Sequence, residues 1–404
     1  MESPHLEQLE HTFAEHYGTP RGTYLVRAPG RVNLIGDHVD YNGLSVLPMA
    51  LQRHVALLYC ERDDPTVRIV STDPDYTLRS FSLGPSIELY PEGDWGNYAK
   101  AASQALAQRH GELRGFDAVV HSDIPVAAGL SSSSALVVAS ALAVLHTNDI
   151  EIEKLELAEL LAEAEHYVGT RGGGMDQAVC LAARRGSASR IDFNPLRLTA
   201  HPIPPDWAFI VAFSLVRAEK SRTARKMYNL RTRECREALE QMTAALGLAD
   251  RIDSYPTLMT QLPAAELVNR AEQALGGTLL RRFRHVVSEA DRVQRAERAL
   301  IDYDLKEFGH LLRESHDSLR DDFEVSCPEL DELVEIASHA SAAGARLTGA
   351  GLGGCVVALC EEQRATKVLK ALAKHFYASR EFEGRLEDQL FLAEPSAGAS
   401  VAAV

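Results

Sequence analysis

Four stretches of this chain gather residues able to handle charge at close range. The first is Pro125-Val-Ala-Ala-Gly-Leu-Ser-Ser-Ser-Ser-Ala135, which sets consecutive hydroxyls behind a glycine. It lies between a strand-like segment, Phe116 to Val120, and an apolar run, Leu136 to Leu145, dense enough in helix formers to be a buried helix. A helix start of this kind leaves backbone N–H groups without intrahelical partners at the positive end of the dipole, a setting for an anion and best of all a phosphate. Gly129 lets the backbone come close to a ligand, and the hydroxyls offer donors and a magnesium ligand. An ordinary serine-capped helix has the same local pattern, so this stretch is weighed together with the others.

The second stretch, Gly30-Arg-Val-Asn-Leu-Ile-Gly-Asp-His-Val-Asp-Tyr-Asn-Gly43, packs Arg31, Asp37, His38 and Asp40 into a segment that reads as too polar for a core. Crowded charges cost stability unless something compensates. A hydroxyl-rich ligand would, because carboxylates accept from sugar hydroxyls and an imidazole donates or accepts; a solvated turn is the alternative. The third stretch, Gly169-Thr-Arg-Gly-Gly-Gly-Met-Asp-Gln177, spends three successive glycines, which suits a backbone that approaches something closely. Asp176 is the candidate positioned carboxylate, or the cap of a helix over Gln177 to Ala183. Glu165, on the preceding helix, is either a metal ligand in the same cleft or a solvent-facing glutamate. In the fourth, Gly344 to Leu359, Gly349, Gly351 and Gly354 match G-x-G-x-x-G, but Cys355 to Cys360 reads as a strand where that fingerprint must open a helix. No G-x-x-x-x-G-K-[ST] occurs either. A glycine turn between strands remains, as a wall beside a phosphate-bearing cleft or as plain turn chemistry.

The elements that must carry these stretches follow from periodicity. Glu7 to His16 reads as an amphipathic helix and Tyr24 to Ala28 as a strand ending at Pro29-Gly30. Ser45 to Leu51, Val55 to Tyr59, Thr66 to Ser71 and Thr77 to Phe81 read as strands of an antiparallel sheet. Helices follow over Trp95 to Arg109 and Ile152 to Tyr167. Trp95 is a packing anchor or an aromatic neighbour for a nucleotide base. Trp207 to Leu215 is a continuous apolar strand, after which come a basic stretch, Arg217 to Arg236, and a mostly helical region out to about Ala343, clearest over Arg281 to Ala299 and Leu305 to Arg320. His201-Pro-Ile-Pro-Pro205 forms a stiff joint, so the expected division is residues 1–203 and 204–404.

Composition excludes several classes. With 404 residues and 46% hydrophobic content the chain can bury a large core, and Lys+Arg 42 against Asp+Glu 57 gives a formal charge of -15 without a basic block. Nucleic acid and anionic membrane are therefore not expected partners. The cysteines are scattered without C-x-x-C or metal-ligand spacing, as suits free thiols in a reducing compartment. With a polar N-terminal decapeptide and no apolar run of membrane-spanning length, a cytoplasmic protein is expected.

Taken together, the loops at 30–43, 125–135 and 344–355 resemble the three signature motifs of the galacto-, homoserine, mevalonate and phosphomevalonate (GHMP) kinase superfamily. Within it, Gly30 to Tyr41, Gly174-Met-Asp-Gln177 and Ser315 to Leu330 are similar to the galactokinases, while Gly169 to Asp176 and Ser45-Val-Leu-Pro-Met-Ala50 are similar to the N-acetylgalactosamine kinase branch. The resemblance implies an α/β (α+β) fold of two lobes with the site between them, and transfer of the γ-phosphoryl of MgATP to the anomeric hydroxyl of galactose by a monomer. By position it implies Asp176 as catalytic base and Arg31 as the stabiliser of developing charge. Asp37, His38, Asp40, Gly173 and Tyr228 fall at sugar contacts, Gly129, Leu130, Ser131, Ser132 and Ser133 at the phosphate loop, and Ser133 with Glu165 at magnesium. Asp37 replaces the usual Glu at the position that meets the sugar's terminal hydroxymethyl and reaches less far. Another acceptor, N-acetylgalactosamine or L-arabinose, and a non-catalytic galactose and ATP sensor are the alternatives.

Overall fold

In a computed structural model of the chain, residues 5–19, 22–169, 172–217 and 222–404 are described, without the side chains of 222–225. Thr170 and Arg171 of the triple-glycine stretch and residues 218–221 of the basic stretch lie outside them.

The first half builds α1 (Leu6–Tyr17), β1 (Thr23–Ile35), β2 (Leu47–Glu61), β3 (Thr66–Ser71), β4 (Arg79–Ser82), α2 (Gly96–His110), β5 (Phe116–Ser122), α3 (Ser132–Thr147), α4 (Lys154–Ala164), α5 (Met175–Ala182), β6 (Ser187–Asp192) and β7 (Arg197–Pro202). The second builds β8 (Trp207–Phe213), α6 (Arg222–Ala245), α7 (Tyr255–Met259), α8 (Ala264–Ala274), α9 (Gly277–Ile301), α10 (Leu305–Asp321), α11 (Pro328–His339), β9 (Gly344–Thr348), β10 (Cys355–Glu361), α12 (Glu362–Leu372), α13 (Leu386–Gln389), β11 (Leu390–Ala393) and β12 (Ser400–Ala403).

A six-stranded sheet runs β12-β1-β2-β5-β3-β4 and a four-stranded sheet β11-β8-β10-β9, with β6 and β7 forming a separate hairpin. Both sheets are antiparallel except for the parallel pair β3 and β5. The first sheet has helices on both faces. On one side α1 sets Leu9 and Phe13 against Leu25, Leu58, Val70 and Val119. On the other lies α3, apolar nearly all round and buried accordingly. In the second sheet β8 and β10 are continuous apolar runs, as strands covered on both faces must be. The chain leaves the first sheet for the second at Trp207 and returns in its last strand, where Tyr24 to Arg27 pair with Ala403 to Ser400.

Several expected boundaries move. Pro29-Gly30 does not end β1; the strand passes through it with a register shift between Pro29 and Arg31 and pairs with β2 as far as Ile35. A bulge accommodates the missing N–H of proline, so Arg31 and Asn33 sit on a strand. The segment read as too polar for a core is in fact core: Arg31, Asn33, Asp37 and His38 are buried. The two strands expected at Ser45 to Leu51 and Val55 to Tyr59 are one, β2. Asp176 lies inside the first turn of α5, and Gly174 takes the capping position.

Helix α10 and strand β9 touch backbone to backbone. A Cβ on Gly344 would stand 1.9 Å from the Gly309 carbonyl oxygen, with no side chain able to yield. Gly344→Ala is expected to lower stability by about 3 kcal/mol, read as a shift of the urea midpoint at unchanged m value.

Candidate functional site

A cavity of about 1170 Å³ opens between the lobes, lined by the end of β1, the loop before α3, the turn entering α5, the start of α6 and the β9–β10 turn. Every expected site residue from Arg31 to Tyr228 lies on its wall.

Its centre is the Arg31 guanidinium. Arg31 Nε donates to Asp176 Oδ1 at 2.7 Å, and Nη1 donates to the Gly129 carbonyl oxygen at 2.5 Å. The Ser131 hydroxyl donates to the other carboxylate oxygen, Asp176 Oδ2, at 2.5 Å. Such charge-assisted contacts are short and strong. Burial works against the charge on Arg31, but Asp176, and after it Asp37 and Asp40, hold the guanidinium more firmly protonated than usual. Ser131 occupies the N-cap of α3 in left-handed backbone at φ 61, yet its side chain makes no capping hydrogen bond. The motif places Ser131 in the phosphate loop, and in the structure its hydroxyl goes to Asp176. The loop also lies backbone to backbone against the β9–β10 turn: a Cβ on Gly349 would meet the Gly129 carbonyl oxygen at 2.7 Å. Three residues further, the Ser134 hydroxyl donates to Oε1 of the buried Glu165 at 2.6 Å, while Ser133 lines the same cavity.

The loop following β1 presents the other polar wall. Asp40 Oδ2 accepts from the Gly173 N–H at 3.0 Å, and a Cβ on Gly173 would meet the Asp40 carbonyl carbon at 2.4 Å. This contact is the close approach that the glycine run anticipates. His38 lies 4.6 Å from the Phe323 ring and 5.8 Å from Tyr228, centroid to centroid. Burial, aided by the charge of His285, pushes its imidazole down to about 3, so it is neutral. Its Nε2–H donates to the Ala350 carbonyl oxygen at 3.2 Å, which leaves Nδ1 to accept from the Tyr41 hydroxyl at 3.0 Å. Tyr41 and Tyr228 meet edge to face at 5.2 Å.

Asp37 is bound on both oxygens. Oδ1 accepts from Asn33 Nδ2 at 2.9 Å, and Oδ2 accepts from Arg346, a guanidinium with no exposed surface. Burial pushes the Asp37 carboxyl up, and Arg346 is the first group pulling it back. The C-terminal half holds the backbone of this loop as well. Glu289 accepts from the Gly36 N–H at 2.8 Å and from Ser315, and His285 Nε2 donates to the Asp37 carbonyl oxygen at 3.1 Å. Burial opposes the charge on Glu289, but Arg292 and then Arg346 hold it down at about 2. Sequence reasoning missed Arg346, Glu289 and His285. The available signals were an arginine in the otherwise apolar strand Gly344–Thr348 and the Glu289 and Arg292 pair three residues apart on α9. Trp95 lies on the cavity wall with Tyr76 edge-on at 6.0 Å.

Comparison with known proteins gives this arrangement its class. The family model for the GHMP kinases N terminal domain matches residues 97–184, and that for the GHMP kinases C terminal matches residues 296–378. Mevalonate kinase from Methanococcus jannaschii shares the fold, with a TM-score of 0.60 at 19% identity over 93% of this chain and 100% of that one. The galactokinase galactose-binding signature matches residues 11–60. Galactokinase of Dictyostelium discoideum is 32% identical over 92% of this chain and 88% of its own length. The crystal structure of Lactococcus lactis galactokinase complexed with galactose aligns at a TM-score of 0.88 and 30% identity, covering 98% of this chain and 99% of that one. The chain belongs to the galactokinase family within the GHMP kinases.

Asp40 gives the site a pH signature. Burial, and then the neighbouring Asp176, push its carboxyl up from 3.8 to about 6. The folded protein therefore holds a proton that the unfolded chain has lost between those values. The stabilisation is fully present below about pH 4 and is lost as pH rises through about 6. Asp40→Asn is expected to raise the stability of the ligand-free protein by up to about 3 kcal/mol at neutral pH and by progressively less as pH falls toward about 4, as read from thermal melts.

Proposed function

We propose that this chain transfers the γ-phosphoryl group of ATP to the anomeric hydroxyl of galactose, giving galactose 1-phosphate. The observation that carries the reading is the Arg31 and Asp176 pair at 2.7 Å, set between a helix start turned toward the cavity and a wall of hydrogen-bond acceptors. Phosphoryl transfer asks for placement and charge stabilisation more than for covalent chemistry.

In this reading Asp176 is the general base for the anomeric hydroxyl, and Arg31 stabilises the charge that develops on the transferred group. Asp40, Tyr228 and the Gly173 backbone orient the sugar. His38 and Asp37 shape its pocket, each with its polar atoms already engaged. The N–H groups at the start of α3, framed by Gly129 to Ser133, receive the phosphate chain, and the aromatic wall of Tyr76 and Trp95 suits the base. A magnesium ion fits the oxygen donors at Ser133 and Glu165, because magnesium takes few protein oxygens and completes its shell with phosphate and water. It would neutralise charge on the transferred phosphate. We read the protein as a cytoplasmic monomer of two domains dividing at residues 203 and 204, with β12 returned to the first. Scattered free cysteines support the compartment, and no helix among the described residues is long and apolar enough to cross a membrane.

The test is ATP-dependent ADP release with magnesium across galactose, N-acetylgalactosamine, glucose and L-arabinose. Galactose is expected to give the highest kcat/KM. A higher value for another acceptor would replace the substrate, and no turnover with any would overturn the reading. Asp176→Asn is expected to lower kcat by about 10³-fold or more while ATP and galactose still bind by calorimetry.

A further inference from the structure

We propose that Ser131 is a positioning residue for Asp176, holding the carboxylate in the plane from which it meets the acceptor hydroxyl. The inference rests on the reading of Asp176 as base. It assigns to this loop serine a task other than phosphate binding.

Three observations carry it. The terminal torsion of an aspartate is soft and roughly two-fold, so a carboxylate held at one oxygen still swings about that contact. Arg31 Nε holds Oδ1, and the Ser131 hydroxyl holds Oδ2; together they fix both ends of the group. Ser131 also stands at φ 61, a region that favours glycine and that a serine occupies only at a cost of about 1 kcal/mol or more. An outlier at a functional site asks what the side chain contributes there. Its hydroxyl caps nothing at the helix start. The bond to Asp176 is the contribution, and as a charge-assisted one it offsets the backbone strain.

The hydroxyl has a single proton. While that proton lies on Asp176, it also stabilises the ionised form of the carboxylate. Ser131 thus acts on orientation and on proton affinity through the same contact.

The test compares Ser131→Gly with Ser131→Ala. Both remove the hydroxyl, but glycine also relaxes the backbone, so the Gly variant is expected to melt at or above the wild-type temperature and the Ala variant below it. Both are expected to lose about tenfold or more in kcat, with KM for galactose within about twofold, and to carry the acid limb of the kcat–pH profile to higher pH. That last shift follows because losing a donor raises the proton affinity of Asp176, a change that a structural role would not produce. An unchanged kcat and acid limb would overturn the proposal, as would a raised KM for ATP with kcat and limb unchanged, which would return Ser131 to the nucleotide. Wild-type protein inactive on every acceptor would overturn the kinase reading instead.

Discussion

One guanidinium carries the site. Arg31 emerges where β1 shifts register after Pro29, and from there it reaches the carbonyl oxygen of Gly129 in the loop before α3 and the carboxylate of Asp176 in the first turn of α5. Three segments far apart in sequence are located by one buried charge. A bulge is a device for re-aiming a side chain, and here it accompanies the turn of an arginine toward the cleft. Removing either acceptor would leave an incompletely paired cation in a wall with 6% of the arginine exposed, a costly condition. The loop before α3 and the Asp176 carboxylate are consequently fixed relative to each other.

The opposite wall is held from behind by the other half of the chain. Glu289 and His285 on α9 take up the backbone of Gly36 and Asp37, Arg346 on β9 neutralises the Asp37 carboxylate, and the Ala350 carbonyl fixes the ring of His38. Asp40 differs: the groups that meet its side chain are backbone N–H donors rather than a cation, and Asp176 lies close enough to repel it. Its ionised form is therefore destabilised in the ligand-free protein. Further hydroxyl donors brought by a ligand would relieve that cost.

Local pattern made much of the fold legible. The continuous apolar runs of β8 and β10 and the all-round apolar α3 read correctly because burial on every face leaves a dense signal. The strands that were mistaken have separate causes. Pro29-Gly30 looked like a stop because the bulge that absorbs it depends on the partner strand β2, and the β6–β7 hairpin went unread because β7 is short and half-exposed. In the site, the charged loop residues were visible by type and crowding, but the direction of their side chains was not. Ser131 reads as a phosphate donor in any serine loop; only the fold puts Asp176 within 2.5 Å of it. Arg346 and Asp37 lie 309 positions apart, and no local rule joins them.

The start of α3 shows how one short segment serves two carboxylates. Besides the Arg31 contact, the backbone of Gly129 packs closely on that of Gly349. Ser131 at the cap goes to Asp176, and Ser134, one turn on, goes to Glu165. Among the described residues of the cavity wall the arginines are Arg31 and Arg231, and both are engaged by protein acceptors, Arg231 by the Phe323 carbonyl oxygen and Glu234. The helix start that faces the cavity carries the positive end of its dipole. The two serine hydroxyls thus turn away from capping the helix and brace the acidic groups on either side of its start.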